Sequence, residues 1–455
     1  MAELRIPVAV PHRSLALAGL PISRLDTFPP ERGALVYDRL VEVAHPPSQA
    51  SAASLQGVAR SEGSPVPDAV APPPRHPRFP LFDGLRAIAV GAVLLVHTPG
   101  VADLPEPLAR IATRGQIGVA IFFLISGFLL YRPFVAARGG GAARPRVADY
   151  AKRRVLRIFP AYWAALTVLT ILPGFTGVTG GSPVAQYGLF FTLPVLGGPV
   201  CYFITDCGLA QTWSLVVELS FYAVLPLYAL AMRHLTGRLA LRTWMWVEII
   251  VLAVLGAASL LFMFVFVPAG GASLWISSTA AGYWYWFSLG MGLAIASVAL
   301  DGSDRKPWLI RAVGSSPLAI WLCAIGAFLA LCLWLPVNPF ALSTAQLVAY
   351  QLIFGLVAFL LLLPAVFGDS QGGMPRRFLA HPLVAWLGLI SYGIFLWHLA
   401  IAEKFGGNGA DLPFVWALIA TAIVSTAVAA TSYYVLERPI LRLKYHRLRD
   451  LLRSG

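Results

Sequence analysis

The sequence predicts an all-α polytopic membrane protein with about ten transmembrane helices and both termini in the cytoplasm. Of its 455 residues, 58% are hydrophobic and only 12% are charged, whereas about 25% are charged in typical soluble domains. The mean hydropathy is +0.73, and apolar runs of about 20 residues, the length that crosses a bilayer, recur from Leu85 onwards. A soluble surface cannot be built from so few charges, which excludes soluble dehydrogenases and secreted disulfide scaffolds.

Residues 1–78 differ from the rest of the chain. They are rich in Pro, Ala, Ser and Arg, and they contain no apolar run long enough to span a bilayer. Their short apolar stretches are broken by Pro, His and Arg, which is atypical of a secretory signal. This composition predicts a mostly disordered N-terminal tail. Residues 79–445 are predicted to form the membrane domain, and residues 446–455 a basic C-terminal tail.

Ten apolar runs after this tail are predicted to cross the membrane as helices. A further apolar stretch, 184–203, is split by Pro and Gly and is interpreted as a re-entrant or interfacial segment. The predicted spans are 85–103, 117–137, 155–173, 212–232, 245–267, 281–300, 317–336, 344–367, 383–403 and 413–435.

The positions of Lys and Arg predict the orientation of these spans. Basic residues concentrate after the second, fourth, sixth, eighth and tenth spans, whereas the opposite connections contain only Arg110, Arg114 and Lys404. Because cytoplasmic loops carry the excess of Lys and Arg, both termini are expected in the cytoplasm. The net charge of +13 is therefore interpreted as a topological signal, and nucleic acid is not expected as a partner.

The four cysteines fall into two pairs. Cys201 and Cys207 lie in the connection 174–211, which contains no Lys or Arg and is expected outside the cell. A disulfide, which an oxidising compartment favours, and two unpaired thiols both stay open there. Cys323 and Cys332 lie inside an apolar run and are interpreted as packed thiols.

The first predicted span carries two ionisable residues, Arg86 and His97. They are eleven residues apart, so they share one helix face with about 16 Å between them along the axis. Ionisable groups inside a bilayer are costly and therefore indicate function by default. Two structural alternatives stay open, because Arg86 could extend to the aqueous interface and His97 could be a hydrogen-bonded structural histidine.

The fourth predicted span carries a polar stripe. Ser214, Glu218 and Tyr222 recur at every fourth position and share one helix face. A carboxylate at that depth must pair, become protonated or line water. The structural alternative is that Glu218 is a buried partner of an arginine.

The ninth predicted span brings a second histidine. Ser391 and His398 are seven residues apart on one face, with Tyr392 adjacent. The structural alternative is an interfacial histidine beside Trp397. A serine and a histidine on one helix face, with a tyrosine beside the serine, would otherwise contribute to a polar pocket inside the membrane.

The ionisable residues of the three spans are expected at the same depth in the membrane. His97, Glu218 and His398 are each expected roughly 8–10 Å from the outer boundary of the membrane, at about 1.5 Å per residue. Three helices can therefore place them in one pocket, where two histidines and a carboxylate suit general base catalysis. No metal site is predicted, because the chain lacks HExxH and paired i, i+4 ligands.

The third predicted span begins with basic residues. Arg154 and Arg157 lie at its cytoplasmic start, where guanidinium groups can bind phosphates bidentately. The alternative of topological charge is accepted for Lys152 and Arg153. Arg157 lies further inside the span and is a stronger candidate for ligand binding.

Six segments resemble signatures of the integral membrane acyltransferase 3 family, in the family's order and on the appropriate spans. The resemblance covers about residues 79–445, and it indicates the stand-alone type without an esterase-like domain after the last span. The segments are DGLRAIAVGAVLLVH, GQIGVAIFFLISGFLL, RRVLRIFPAYW, TWSLVVELSFY, ISYGIFLWH and LERPI.

The resemblance implies transfer of an acyl group, often acetyl, from cytoplasmic acyl-CoA to a hydroxyl of a sugar, a glycolipid or a glycosylated metabolite. Acyl-CoA would be a co-substrate rather than a bound cofactor, the acceptor a hydroxyl-bearing carbohydrate, and the location a bacterial plasma membrane. From the residues and the resemblance together, the candidates are His97, Glu218 and Arg86 for catalysis, Arg154 and Arg157 for donor binding, and Ser126, Trp213, Ser214, Tyr392 and His398 for the pocket.

His97 is expected to act as a general base toward the acceptor hydroxyl or as a transient acyl carrier, with Glu218 orienting and charging it. The alternative function is a transporter or lipid flippase, in which the same residues bind substrate or protons. The six ordered segments and the lack of visible internal repeats disfavour it. A scaffolding membrane protein would not explain ionisable residues at one depth.

Overall fold

Every regular element within the described ranges of the computed structural model is helical, which confirms the all-α fold class. The predicted tail 1–78, the segment 184–203, Cys201, Cys207 and the tail 446–455 lie outside those ranges. The described residues are 79–139, 143–172, 209–266, 279–301, 307–338, 341–368, 372–406 and 410–442.

Each of the ten predicted spans overlaps a helix of the structure. Short 3₁₀ turns at Val101–Asp103 and Ala210–Thr212 and a π-helical turn at Tyr433–Glu437 accompany them. The α-helices are α1 (Phe82–His97), α2 (Glu106–Ala112), α3 (Ile117–Arg138), α4 (Val147–Ile171), α5 (Trp213–Thr236), α6 (Leu241–Phe266), α7 (Ala280–Ala299), α8 (Trp308–Ser315), α9 (Pro317–Trp334), α10 (Thr344–Val366), α11 (Met374–Ala380), α12 (Pro382–Leu389), α13 (Ser391–Phe405), α14 (Phe414–Ser432) and α15 (Arg438–Arg442).

Several of these helices have the length and composition of membrane spans. Six in the described part of the chain are long and apolar enough to cross a bilayer, and a seventh counts if the bent pair α12 and α13 is one span. The helices α1, α4 and α7, which match the first, third and sixth predicted spans, are outside that set. α1 has only 16 residues, fewer than the roughly 20 that cross the hydrocarbon core.

The ninth predicted span is broken rather than straight. α12 and α13 meet at 70°, because Ile390 between them has φ −92° and ψ 4°, outside the α-helical region. The first hydrogen bond of α13 runs from the amide of Ile394 to the carbonyl oxygen of Ile390. The break gives the chain a second helix start, at Ser391.

Glycines bring α3 close to two neighbouring helices. A Cβ at Gly118 would overlap the carbonyl oxygen of Ala89 on α1, and a Cβ at Gly290 on α7 would overlap that of Leu124. Small residues are favoured at helix contacts in membranes, because close backbone approach increases van der Waals packing there. α3 therefore lies between α1 and α7, and this position fixes the polar residues that it carries.

Gly290→Ala is expected to lower the stability of the membrane domain, because the added methyl group would overlap the Leu124 carbonyl oxygen. Overpacking of this kind costs about 1–3 kcal/mol. Gly292→Ala is the matched control on the same helix, since nothing lies within 4 Å of a Cβ there. Melting temperatures in one detergent measure both variants, and equal values would contradict this packing of α7 on α3.

Arg376 belongs to the basic residues that follow the eighth predicted span, and it is buried, with 1% of its surface exposed. Its guanidinium donates hydrogen bonds to backbone carbonyls at the ends of α8 and α10 and before α11, so it joins three helix ends. The acceptors are the carbonyl oxygens of Val313, Gly314, Pro364, Phe367 and Gly372.

Candidate active site

A narrow cavity of about 100 Å³ lies between α1, α3, α4, α5 and α13. Most of the predicted site residues contribute to it, although they come from five different helices. Its polar lining residues are Arg86, Ser126, Arg154, Arg157, Ser214, Glu218, Tyr222, Ser391 and Tyr392.

Glu218 is the carboxylate of this cavity. Its Oε1 accepts hydrogen bonds from the hydroxyls of Ser126, at 2.5 Å, and of Tyr222, at 2.7 Å. Both contacts are donated by hydroxyl groups, because this carboxylate oxygen acts as the acceptor. Tyr222 lies one turn after Glu218, as the polar stripe predicts, whereas the contact with Ser126 joins α5 to α3.

Guanidinium groups form another wall of the cavity. Arg86 is paired with Asp83, one turn earlier on α1, at 2.6 Å. Arg154 lies over the ring of Tyr222, 5.6 Å from its centroid, and its Nε has no hydrogen-bond partner among the described residues. With Arg157 as the third guanidinium of the lining, the cavity carries more positive than negative charge.

His97 and His398 form a second polar centre. His97 is the last residue of α1, and His398 lies within α13 with 0% of its surface exposed. Their Nδ1 and Nε2 atoms are 3.2 Å apart, and their ring centroids 5.0 Å. The structure thus brings together two histidines that are 301 residues apart in sequence.

The backbone around the two histidines determines their tautomers. Nδ1 of His398 lies 2.7 Å from the carbonyl oxygen of Phe395, and a carbonyl can only accept, so this nitrogen carries the proton of a neutral ring. Nε2 of His398 is then an acceptor, and Nδ1 of His97 must be the donor to it. The same Nδ1 lies 3.0 Å from the carbonyl oxygen of Val93. Nε2 of His97 is left with its lone pair, as a general base requires.

The two centres are adjacent but separate. Neither His97 nor His398 is among the described residues that line the narrow cavity. Phe395 connects the centres, because it lines the cavity and its ring centroid is 6.0 Å from that of His398. Glu218 has no hydrogen bond to His97 among the described contacts. The partner that orients His97 in the structure is His398.

Two further candidates, Trp213 and Tyr392, have contacts with helices outside the two polar centres or at their edge. Trp213 packs against Tyr283 of α7, with ring centroids 5.4 Å apart, and is not among the described lining residues. Tyr392 lines the cavity, and its hydroxyl donates to the carbonyl oxygen of Ile158 on α4, at 3.0 Å. Asp83 was missed by the sequence reasoning, although its spacing of three residues from Arg86 indicates an ion pair on one helix.

Comparisons with known proteins identify the family of this fold. A family model described as "Acyltransferase domain" matches residues 80–434. The chain is 25% identical over 387 residues to the putative peptidoglycan O-acetyltransferase YrhL of Bacillus subtilis (strain 168), covering 80% of this chain and 55% of that protein. It therefore spans about half the length of that relative. No solved structure matches the chain.

Two other relatives extend the comparison. The exopolysaccharide production protein ExoZ of Rhizobium meliloti (strain 1021) is 29% identical over 349 residues, 72% of this chain and 90% of that protein. The acyltransferase MdmB of Streptomyces mycarofaciens is 30% identical over 190 residues, 38% of this chain and 44% of that protein. The segment LERPI, at residues 436–440, lies beyond the range that the family model matches. Because the family model covers most of the sequence, the resemblance to the acyltransferase 3 family is confirmed, and the chain belongs to the acyltransferase domain family.

Proposed function

We propose that the chain is a membrane-bound O-acyltransferase that moves an acetyl group from acetyl-CoA to a hydroxyl of a cell-envelope carbohydrate. The observation that carries this proposal is the adjacency of two polar centres, the narrow cavity with Arg154 and Arg157 and the His97–His398 pair, with Phe395 between them. Family membership supports acyl transfer. Similarity to proteins named for peptidoglycan O-acetylation and exopolysaccharide production supports the acetyl group and the carbohydrate acceptor.

The proposed topology has ten spans in a bacterial plasma membrane, with both termini in the cytoplasm. Two observations support it: every predicted span overlaps a helix, and basic residues concentrate on the connections at one end of the helices. In this orientation Arg154 and Arg157 lie toward the cytoplasm, where acyl-CoA is available. His97, at the opposite end of α1 from Arg86, lies in the outer half of the membrane.

The size of the cavity supports the proposal that it holds only part of the donor. Pockets for complete small ligands usually measure about 300–1,000 Å³, whereas this cavity measures about 100 Å³. It is too small for the whole of acetyl-CoA, so in this proposal it takes only the part of the donor that lies next to Arg154 and Arg157 of its lining. Arg86 is already paired with Asp83, so Arg154 and Arg157 are the principal phosphate contacts.

His97 performs the chemistry in this proposal. Its Nε2 takes the proton of the acceptor hydroxyl while the hydroxyl oxygen attacks the thioester carbonyl carbon. The carbon–sulfur bond then breaks, and the departing thiolate takes the proton from His97. The products are an acetyl ester and the thiol of CoA, and His97 returns to its starting state. His398 keeps the proton of His97 on Nδ1 throughout.

Glu218 has a different role from the one that its depth in the membrane suggests. Its contacts with Ser126 and Tyr222 hold α3 and α5 together inside the cavity. It is also close enough to Arg86 to interact with it electrostatically. We assign it to balancing the charge of the arginines, so that the cavity can hold guanidinium groups away from water.

Acetyl transfer by purified protein in lipid nanodiscs tests the proposal. Acetyl-CoA and a soluble oligosaccharide should yield CoA thiol together with an acetylated product that mass spectrometry detects. Release of CoA that requires the acceptor supports transfer. Movement of an intact, unmodified substrate across a liposome membrane, without acetylated product, would instead identify a transporter.

Arg157→Ala is expected to raise the KM for acetyl-CoA about ten- to hundredfold with little change in kcat. A charge-assisted hydrogen bond to phosphate contributes roughly 1.5–3 kcal/mol, and it is equally strong in the ground state and the transition state. Arg153→Ala is the matched control, because this neighbouring arginine is not among the described lining residues. An unchanged KM in Arg157→Ala would contradict the donor assignment.

A further inference from the structure

A second cavity, of about 600 Å³, lies along α3 and α5 at the end of these helices that carries Arg138 and Arg233. The segment before α4 contributes Arg144 to its lining, and α6 contributes Glu248. The acyl-transfer mechanism uses none of these residues. In the sequence, the three arginines indicate only the basic end of the membrane domain.

One of the three arginines, Arg138, forms its polar contacts within the protein. Arg138 lies 3.3 Å from Oε1 of Glu248, and it donates to the carbonyl oxygen of Thr236 at 2.6 Å. Glu248 also accepts from the hydroxyl of Tyr131 at 2.8 Å. The only carboxylate among the described lining residues is therefore already balanced.

The other two arginines supply an excess of positive charge. Arg144 and Arg233 are both exposed, and neither forms an ion pair with a carboxylate of the described residues. Two guanidinium groups at the rim of a cavity with one neutralised carboxylate attract a ligand with negative charge. Guanidinium is also the side chain that binds phosphate oxygens bidentately.

The remaining wall of the cavity is apolar and faces outward. Leu227, Leu230 and Val147 line it, and they are 66%, 40% and 55% exposed. α5 is one of the helices with the composition of a membrane span, so in the proposed topology the wall that it contributes faces lipid. A ligand that fits must combine a phosphate with an apolar chain.

We propose that this cavity binds an anionic phospholipid, with the phosphate of its headgroup on Arg144 and Arg233 and an acyl chain along Leu227 and Leu230. Basic pockets between membrane helices at the basic face of a membrane protein bind such headgroups. The site differs from the narrow cavity of the donor in its residues and in its opening to the lipid.

Lipid binding measured without turnover tests this site. Wild-type protein is reconstituted in nanodiscs of phosphatidylcholine with increasing phosphatidylglycerol, and bound lipid is counted by native mass spectrometry. The double variant Arg144→Gln/Arg233→Gln should bind phosphatidylglycerol about thirtyfold more weakly, from about 1 kcal/mol for each basic residue. The matched control, Arg238→Gln/Arg242→Gln, removes two exposed arginines near the same end that are not among the described lining residues.

The control also separates a site from a general attraction of basic loops for anionic lipid. An equal loss in both double variants would overturn the proposal. Binding of CoA or adenosine 3′,5′-diphosphate that displaces phosphatidylglycerol and disappears in Arg144→Gln/Arg233→Gln would also overturn it, by assigning the cavity to a nucleotide. Binding of phosphatidylglycerol is measured directly and not through turnover. An inactive His97 variant should therefore still bind this lipid, and the outcome is independent of the proposed acyl transfer.

Discussion

His97→Ala is expected to lower kcat for acetyl transfer about 10²- to 10⁴-fold, the usual contribution of a positioned general base, while acetyl-CoA binds with nearly unchanged affinity. The affinity is retained because the guanidinium groups lie in the narrow cavity, which His97 does not line among the described residues. Rapid-quench measurement of acetyl ester formation gives kcat, and equilibrium binding of a non-hydrolysable donor analogue gives the affinity.

The control for this experiment is His234→Ala, which removes an exposed histidine near the end of α5 and should leave both quantities unchanged. Loss of donor binding in His97→Ala with unaltered turnover at saturating donor would reverse the assigned roles. A stoichiometric burst of CoA thiol without acceptor, with an acetyl group on His97, would replace the general base by an acyl carrier.

His398→Asn is expected to lower kcat about 100-fold, since it removes the nitrogen that accepts from Nδ1 of His97. Without that acceptor, only the carbonyl oxygen of Val93 holds the proton of His97 on Nδ1, so the ring is oriented less firmly and the lone pair on Nε2 is misplaced in part of the population. Residues that orient a metal-binding histidine typically contribute about 10- to 100-fold, and we expect an effect of the same size for a histidine that acts as a base. The KM for acetyl-CoA should not change, because the arginines proposed to bind the phosphates of the donor line the narrow cavity and do not contact His398 among the described residues.

His398→Gln provides the matched comparison. The side-chain oxygen of glutamine reaches the position of Nε2 in histidine, whereas that of asparagine reaches only the position of Nδ1. Glutamine should therefore restore much of the lost kcat if His398 acts by accepting a hydrogen bond. Similar activity and similar melting temperatures for both variants would show that His398 only fills space in α13.

The helices were predictable because their signal is long and repeated. A run of about 20 apolar residues overlaps a helix at each of ten positions, and the shared depth of His97 and His398 anticipated that they meet. The break at Ile390 was not predictable, because the span 383–403 contains no proline. Its cause is the backbone conformation of one residue between two packed helices, to which periodicity is insensitive.

The partners of the site residues were harder to predict than their positions. Glu218 was expected to serve His97, but the residue that faces its carboxylate on α3 is Ser126. Which side chains meet across helices depends on rotation and on glycine-mediated approach, as between Gly290 and Leu124. Arg376 has the sequence environment of an ordinary loop arginine, although it is enclosed by five backbone contacts.

The break at Ile390 also shapes the electric field inside the membrane. A helix start carries a partial positive charge of about half an elementary charge, and α13 starts at Ser391, which lines the narrow cavity together with Tyr392. In an unbroken helix the backbone amides of Ser391 and Tyr392 would donate hydrogen bonds to the preceding turn. No partial positive charge of a helix start would then exist at this depth. The dipole of α13 thus adds a partial positive charge beside the guanidinium groups of this cavity, and the adjacent C-terminal end of α12, at Leu389, carries the opposite partial charge.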